Sequence, residues 1–217
     1  YPSVLGAEPG AAALAAGQEV AHVLVTYNGQ VCFTPYFASA STGTASSADV
    51  WGGERAWLQA VDSPYDQSVA SNWNTNGNSS GTARFARATL ESRIRDKLGV
   101  DLSGVDPNSW FTIKSANQYG WVAQIQIGPN ASGNDTCSGR WFREVLLAGA
   151  SVDGRSLRSQ CFTVTYDSGL DCFLFDVYGY GHGCGMSQWG AIGYARNGWG
   201  YQDILTHYFV GTTITTY

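Results

Sequence analysis

The side chains best suited to chemistry lie in one glycine-rich run near the carboxyl end of the sequence. His182, Cys184, Ser187 and Gln188 stand there among glycines at positions 179, 181, 183, 185 and 190. A neutral imidazole and a side-chain amide each donate and accept hydrogen bonds, as does a hydroxyl. Glycine at alternate positions leaves room for a ligand or a crossing strand to approach the backbone. The pattern therefore indicates a binding site rather than a segment of core.

Two short helices are predicted to hold this run in place. One apolar side chain recurs at every third position after the glycines: Met186, Trp189, Ile192 and Ala195. Ser187 is a candidate N-cap for this helix, and Asn197-Gly198 is a typical stop. A second helical pattern follows, with its large side chains on one side: Tyr201, Ile204, Leu205 and Tyr208. Gly211 ends it, so the chain is predicted to run strand, glycine loop, helix, turn, helix.

The run from Gly179 to Thr212 reads GYGHGCGMSQWGAIGYARNGWGYQDILTHYFVGT. It resembles the C-terminal signature of the stage II sporulation protein D and amidase enhancer (SpoIID/LytB) family, roughly G-x-G-H-G-x-G-M-S-Q-x-G-A and then Y-x-x-I-L-x-x-Y-Y-x-G-T. The resemblance begins at about Glu19 and includes a hydroxyl-rich passage before Trp51-Gly52. Phe37 in that passage departs from the pattern, because a histidine is common at its position.

The resemblance implies a protein that acts on bacterial cell-wall peptidoglycan outside the cytoplasm, either secreted or associated with the wall. The implied partners are glycan strands and a cell-wall amidase or other wall hydrolase. The implied glycan groove is lined by the signature and its neighbours: His182, Ser187, Gln188, Tyr201, Ser41 and Thr44. Hydroxyls such as those of Ser41 and Thr44 equally often serve turn geometry, and His182 could instead hold the glycine loop in place.

The family's sporulation branch resembles lytic transglycosylases, which need a carboxylic acid to protonate the leaving oxygen. The family carries this glutamate in an N-terminal segment that the sequence does not contain. We expect the acid to precede Tyr1, to come from another chain or to be dispensed with, and the catalytic residue is unknown. The sequence itself contains five glutamates: Glu8, Glu19, Glu54, Glu91 and Glu144. Of these, Glu54 is the best candidate to line a cleft. A non-catalytic wall-binding or amidase-enhancing module is the main alternative.

The five cysteines suggest a second alternative and a disulfide. Cys184 as nucleophile, with His182 or His207 as base, would make an amidase or peptidase, because a nearby helix N-terminus lowers a thiol pKa. Cys161 and Cys172 flank a turn-like stretch, which favours a disulfide across a hairpin, with Cys32 and Cys137 as a weaker second pair. A disulfide would itself indicate an extracytoplasmic compartment.

Composition excludes several classes of function. The net charge of −5 gives nucleic acid no basic surface to bind. No apolar stretch approaches the roughly 18 to 20 residues of a membrane span, and an export signal is expected upstream of Tyr1. The spacing of cysteines and histidines predicts no metal site, and nothing predicts a cofactor.

The predicted fold is α+β: a β-rich, mostly antiparallel sheet with one mid-chain helix and a C-terminal helix-turn-helix after the glycine loop. Positions 1–217 are expected to form a single domain that is N-terminally incomplete relative to the family. Asn28-Gly29 predicts a hairpin turn, and the mid-chain helix runs from Thr89 to Gly99. A short helix at 11–16 is expected to pack under the sheet. The other predicted strands are 110–113, 121–127, 141–142, 144–147, 162–166 and 173–175.

Overall fold

A computed structural model of the protein describes residues 10–69, 81–129, 135–154 and 156–217. The helices are α1 (Ala11–Glu19), α2 (Ser47–Trp51), α3 (Asp66–Val69), α4 (Arg87–Leu98), α5 (Gly139–Trp141), α6 (Gln188–Arg196) and α7 (Tyr201–Tyr208). The strands are β1 (Val23–Tyr27), β2 (Gln30–Val31), β3 (Tyr36–Phe37), β4 (Thr82–Ala86), β5 (Phe111–Ala116), β6 (Val122–Ile127), β7 (Thr136–Ser138), β8 (Cys161–Asp167), β9 (Cys172–Tyr178), β10 (Met186–Ser187) and β11 (Thr213–Thr216). The predicted α+β class is confirmed.

The strands form small sheets rather than one continuous sheet. Within the described ranges the orders are β11-β1-β2, β10-β3, β4-β9-β8 and β5-β6-β7, and only the β10-β3 pair is parallel. The predicted hairpin turn joins β1 to β2, where Asn28 (φ 51°) and Gly29 (φ 76°) are both left-handed. The helix predicted at 11–16 is present within α1, but none of its residues is buried, so it does not pack under a sheet.

Two groups of buried side chains make up the core. The first lies between α4 and the sheets that contain β4 to β9, and Leu90 and Ile94 are its fully buried side chains on α4. The helix predicted from Thr89 to Gly99 is thereby confirmed, although it begins two residues earlier. The second group joins the segment around β3 to α6 and α7, and Trp121 is its largest member from the middle of the chain. The candidate site is built on this second group.

The strands predicted at 141–142 and 144–147 are wrong, because the chain is helical from Gly139 to Leu146. Ser138 caps α5 by accepting a hydrogen bond from the backbone N–H of Trp141 at 3.1 Å, and a π-helical turn, Phe142–Leu146, continues directly from α5. Phe142 and Leu146 are both fully buried, and a spacing of four residues places them on one helical face. Two apolar residues at this spacing can be mistaken for strand alternation in a short segment.

The predicted disulfide between Cys161 and Cys172 is also wrong, and all five cysteines are free thiols. The two residues do lie in one hairpin, formed by β8 and β9. Its register pairs Cys161 with Tyr178 and Cys172 with Asp167, so the two thiols are at opposite ends of the hairpin. That separation is on the order of 20 Å along the strands, whereas bridged cysteines have Cα atoms within about 7 Å. Among the described helices, none is both long and apolar enough to cross a membrane.

Candidate functional site

The glycine-rich run packs against the protein's own chain. Met186 and Ser187 pair in parallel with Tyr36 and Phe37. A Cβ atom at Gly185 would lie 2.2 Å from the carbonyl oxygen of Pro35. The glycines therefore allow a neighbouring segment of the protein to cross closely, which is one of the two roles that the sequence left open.

Both ring nitrogens of His182 are hydrogen-bonded to backbone groups. Nε2 lies 3.1 Å from the carbonyl oxygen of Tyr36, and Nδ1 accepts from the N–H of Cys184 at 3.2 Å. Because Nδ1 accepts, the proton is on Nε2 and the ring is neutral. Burial lowers the pKa of His182, and the positive charges of Arg143 and Arg140 lower it further. The ring is therefore a fixed, uncharged element of the loop.

The imidazole of His182 also supports a tryptophan at the surface. Its centroid lies 5.4 Å from the ring of Trp51 and 5.6 Å from the ring of Phe37. Phe37 is buried, whereas Trp51 is only half-buried at the end of α2. The histidine of the signature thus fixes one face of Trp51, and the rest of that side chain borders an open groove.

This groove has a volume of about 770 Å³. Trp51 at the end of α2 and Trp141 at the end of α5 both line it, together with part of the π-helical turn. Residues with polar side chains also line the groove: Asp49, Ser115, Gln124, Thr136, Ser138, Arg140 and Glu144. Two indoles flanking a row of hydrogen-bonding groups suit a ligand that combines flat apolar faces with hydroxyl and amide edges.

The two carboxylates in the groove already have partners. Glu144 Oε2 lies 2.9 Å from Nε of Arg140 in an ion pair. Asp49 Oδ2 accepts the backbone N–H of Ser46 at 3.1 Å and its hydroxyl at 2.8 Å, which completes a capping box at α2. Each carboxylate is thus engaged by a partner within the protein, whereas a general acid must be placed to give its proton to the bound ligand. Glu54, the expected cleft residue, is exposed and does not line this groove.

Ser187 lies inside the protein, where it joins three elements. As the N-cap of α6 it accepts the N–H of Gly190 at 3.2 Å, and it donates its hydroxyl hydrogen to Oδ1 of Asp66. Asp66 has no solvent exposure and also receives the hydroxyl of Ser63 (2.5 Å) and the N–H of Ala40 (2.7 Å). Burial raises the pKa of Asp66, and these hydrogen bonds oppose the rise.

The other residues predicted for the groove divide between interior and surface. Ser41 is 5% exposed and donates to the carbonyl of Tyr119 at 2.9 Å, and Thr44 is fully buried and accepts the N–H of Val61 at 2.9 Å. Gln188 and Tyr201 are exposed at the first positions of α6 and α7. Of the six predicted residues, His182 is the one that touches a wall of the groove. Ser187, Ser41 and Thr44 hold the surrounding backbone.

Cys184 is unsuited to nucleophilic attack in this conformation. Its side chain is fully buried, and burial raises the pKa of the thiol to about 12. The helix N-terminus was expected to lower the pKa of this thiol, but the loss of solvation outweighs that effect and the pKa rises. The contact with His182 is made by the backbone N–H of Cys184 and not by its sulfur.

Three groups important to the site were not predicted from the sequence. Trp51 and Trp141 are far apart along the chain, so no local pattern shows that they face one groove. Asp66 lies in a polar stretch typical of a surface loop, and nothing local predicts its burial. The described residues contain no group of three or more His, Cys, Asp or Glu side chains that could hold a metal ion.

Comparison with known proteins identifies relatives of one kind. The chain is 28% identical over 192 residues to stage II sporulation protein D of Bacillus subtilis (strain 168), covering 88% of the chain and 48% of that protein. It is 28% identical to stage II sporulation protein D of Bacillus amyloliquefaciens, covering 88% of the chain and 47% of that protein. It is 25% identical over 226 residues to the amidase enhancer of Bacillus subtilis (strain 168), covering 89% of the chain and 31% of that protein. The chain spans about half the length, or less, of these curated relatives.

No protein-family model matches the chain. The relatives nevertheless confirm the resemblance to the SpoIID/LytB family that the glycine-rich signature carries.

Proposed function

We propose, from this resemblance to stage II sporulation protein D and the amidase enhancer, that the protein binds glycan strands of bacterial peptidoglycan outside the cytoplasm. Residues 1–217 would form one domain for this purpose. The groove between Trp51 and Trp141 takes the strand, and the signature loop acts as its scaffold. The observation that carries the proposal is the contact between His182 and Trp51, which connects the family signature to a wall of the groove.

The chemistry of the groove matches the proposed ligand. A glycan strand presents the apolar faces of its sugar rings and, around their edges, hydroxyl and N-acetyl groups. The indoles of Trp51 and Trp141 provide flat apolar surface, and Gln124 and Arg140 provide hydrogen-bond donors between them. The length and open ends of a groove suit a polymer better than a closed pocket does.

A more specific form of this proposal is that the protein also cleaves the strand as a lytic transglycosylase, which the sporulation branch of the family suggests. It requires a general acid beside the bound strand. Glu144 is the carboxylate best placed in the groove, but it is already held in an ion pair with Arg140. We therefore assign to the described residues the task of binding and orienting the strand, and not that of protonating it.

A non-catalytic role beside a cell-wall amidase is the second candidate. One relative is named an amidase enhancer, and the absence of a suitable acid among the described groove residues agrees with such a role. In this case the domain would hold glycan strands while a separate enzyme cleaves the stem peptides.

Sedimentation with purified, insoluble peptidoglycan tests the binding function. We expect Trp51→Ala and Trp141→Ala each to weaken binding by about tenfold, which corresponds to about 1.4 kcal/mol. Leu170→Ala, which removes an exposed apolar side chain from the turn between β8 and β9, is the matched control and should bind like the wild type. Unchanged binding by both tryptophan variants would refute the assignment of the groove.

Mass spectrometry of digested peptidoglycan then separates the two candidates. Anhydro-muramyl ends would indicate a transglycosylase, and free stem peptides that appear only when an amidase is added would indicate an enhancer. Neither product, with binding retained, would leave the protein as a glycan-binding module.

A further inference from the structure

A second depression lies at α7 and shares no lining residue with the groove. It has a volume of about 520 Å³ and is lined by Gly198, Trp199, Asp203, Thr206 and His207. All five residues belong to α7 or to the turn that precedes it. They lie within the signature run, but none is among the six residues that the resemblance places in the glycan groove.

Trp199 is an exposed but fixed platform in this depression. Its side chain is 40% exposed. Its ring lies 4.5 Å from that of Tyr194 and 5.6 Å, edge to face, from that of His207. These contacts hold the indole from one side, and the exposed part remains available to a ligand. An aromatic surface fixed in advance loses little conformational entropy when it binds.

The groups around the indole are mainly hydrogen-bond acceptors. His207 Nε2 lies 2.7 Å from the carbonyl oxygen of Asp62, so its proton is on Nε2 and Nδ1 is left as an acceptor. Thr206 donates its hydroxyl hydrogen to the carbonyl of Gln202 at 2.9 Å and keeps its lone pairs. Within the described part of the chain, the Asp203 carboxylate has no hydrogen bond or ion pair.

We propose that this depression is a second carbohydrate site, which binds a neutral pyranose ring stacked on Trp199 with its hydroxyl groups donating to Asp203 and His207. An ammonium group would also meet an indole and a carboxylate here. Cation recognition, however, typically uses a cage of several aromatic faces, and Tyr194, only 5% exposed, offers no open face beside Trp199. The volume also exceeds what a single ammonium group fills.

A titration monitored by NMR of the tryptophan indole N–H groups tests this site directly. The probe is the tetrasaccharide of N-acetylglucosamine, added to the double variant Trp51→Ala/Trp141→Ala so that the groove does not contribute. We expect the Trp199 signal to shift on addition of the probe. Trp199→Ala in the same background should weaken binding by about tenfold or more. Asp203→Ala, which leaves the ring contacts of Trp199 intact, should weaken binding several-fold.

Tetramethylammonium is the competing probe. The proposal is overturned if Trp199 responds to this cation and not to the tetrasaccharide, or if it responds to neither while thermal unfolding shows that the variants are folded. Because the groove is disabled in the starting protein, a failure here is distinguishable from a failure of the proposed function. Failure of the proposed function would instead appear as unchanged peptidoglycan binding by the single variants Trp51→Ala and Trp141→Ala.

Discussion

The hydroxyl of Ser187 donates to the carboxylate of Asp66, a fully buried residue 121 positions earlier in the chain. The same serine caps α6, so one side chain stabilises a helix end and satisfies an interior carboxylate. Gly190 makes room for this arrangement, because a Cβ atom there would lie 2.1 Å from the hydroxyl oxygen of Tyr208. Two residues of the M-S-Q-x-G signature thus have structural rather than ligand-binding contacts.

Removal of the Ser187 hydroxyl is expected to destabilise the protein markedly. Ser187→Ala loses a helix cap and leaves the buried Asp66 without one of its donors, so the free energy of unfolding should fall by about 2 to 3 kcal/mol. Ser138→Ala is the control, because Ser138 caps α5 at the surface and touches no buried carboxylate. It should cost about 1 kcal/mol in urea unfolding. Equal effects of the two substitutions would contradict the role of the contact with Asp66.

The buried Asp66 should give stability a distinctive dependence on pH. Burial raises its pKa above the ordinary 3.8, so the native state keeps a proton that the unfolded chain has already lost. The contribution is fully present below pH 3.8 and is lost as pH rises through the raised native value. The difference in unfolding free energy between wild type and Asp66→Asn should therefore decrease with rising pH across this window. A difference that increases with pH would mean that the hydrogen bonds outweigh burial.

His182 should show the opposite dependence. Its pKa is lowered from 6.5, chiefly by burial, so the unfolded chain takes up a proton before the native state does. Its stabilising contribution is present above pH 6.5 and is lost as pH falls through the lowered native value. The difference in unfolding free energy between wild type and His182→Ala should shrink from pH 7.5 to pH 5. A constant difference would indicate that His182 titrates freely in the native protein.

The glycines of the signature should differ in importance from glycines in open turns. Gly185→Ala would place a methyl group 2.2 Å from the carbonyl oxygen of Pro35, in addition to the strain of φ +82°. We expect it to cost more than about 4 kcal/mol and to reduce soluble yield. Gly198→Ala has a similar φ of +87° but meets open space, and should cost only about 1 kcal/mol. Similar thermal unfolding of both variants would show that the crossing of the loop and Pro35 is not tight.

Local signals made several elements predictable. The N-cap at Ser187, the helix α6 and the left-handed turn at Asn28-Gly29 each depend on a few adjacent residues, and all three are present. The strands expected at 141–142 and 144–147 failed because the helix there is set by the cap at Ser138 and by burial against distant residues. The disulfide between Cys161 and Cys172 failed because spacing along a chain does not give register in a hairpin.

The candidate site was harder to predict than the elements that support it. The signature directed attention to His182, but it could not show that this side chain contacts Trp51 or that Trp141 lines the same groove. Those relationships depend on tertiary packing between segments that are far apart along the chain, as does the burial of Asp66 against Ser187, 121 positions later. Sequence alone therefore gave the scaffold of the site more reliably than its walls.

The most direct measurement is an NMR titration of the wild-type protein with purified peptidoglycan glycan strands, monitored at the indole N–H signals of its eight tryptophans. We predict that the signals of Trp51 and Trp141 shift together, while those of the fully buried Trp110 and Trp121 stay in place. If glycan strands bind and the signals of Trp51 and Trp141 do not move, the groove is not the binding site and the central claim is wrong.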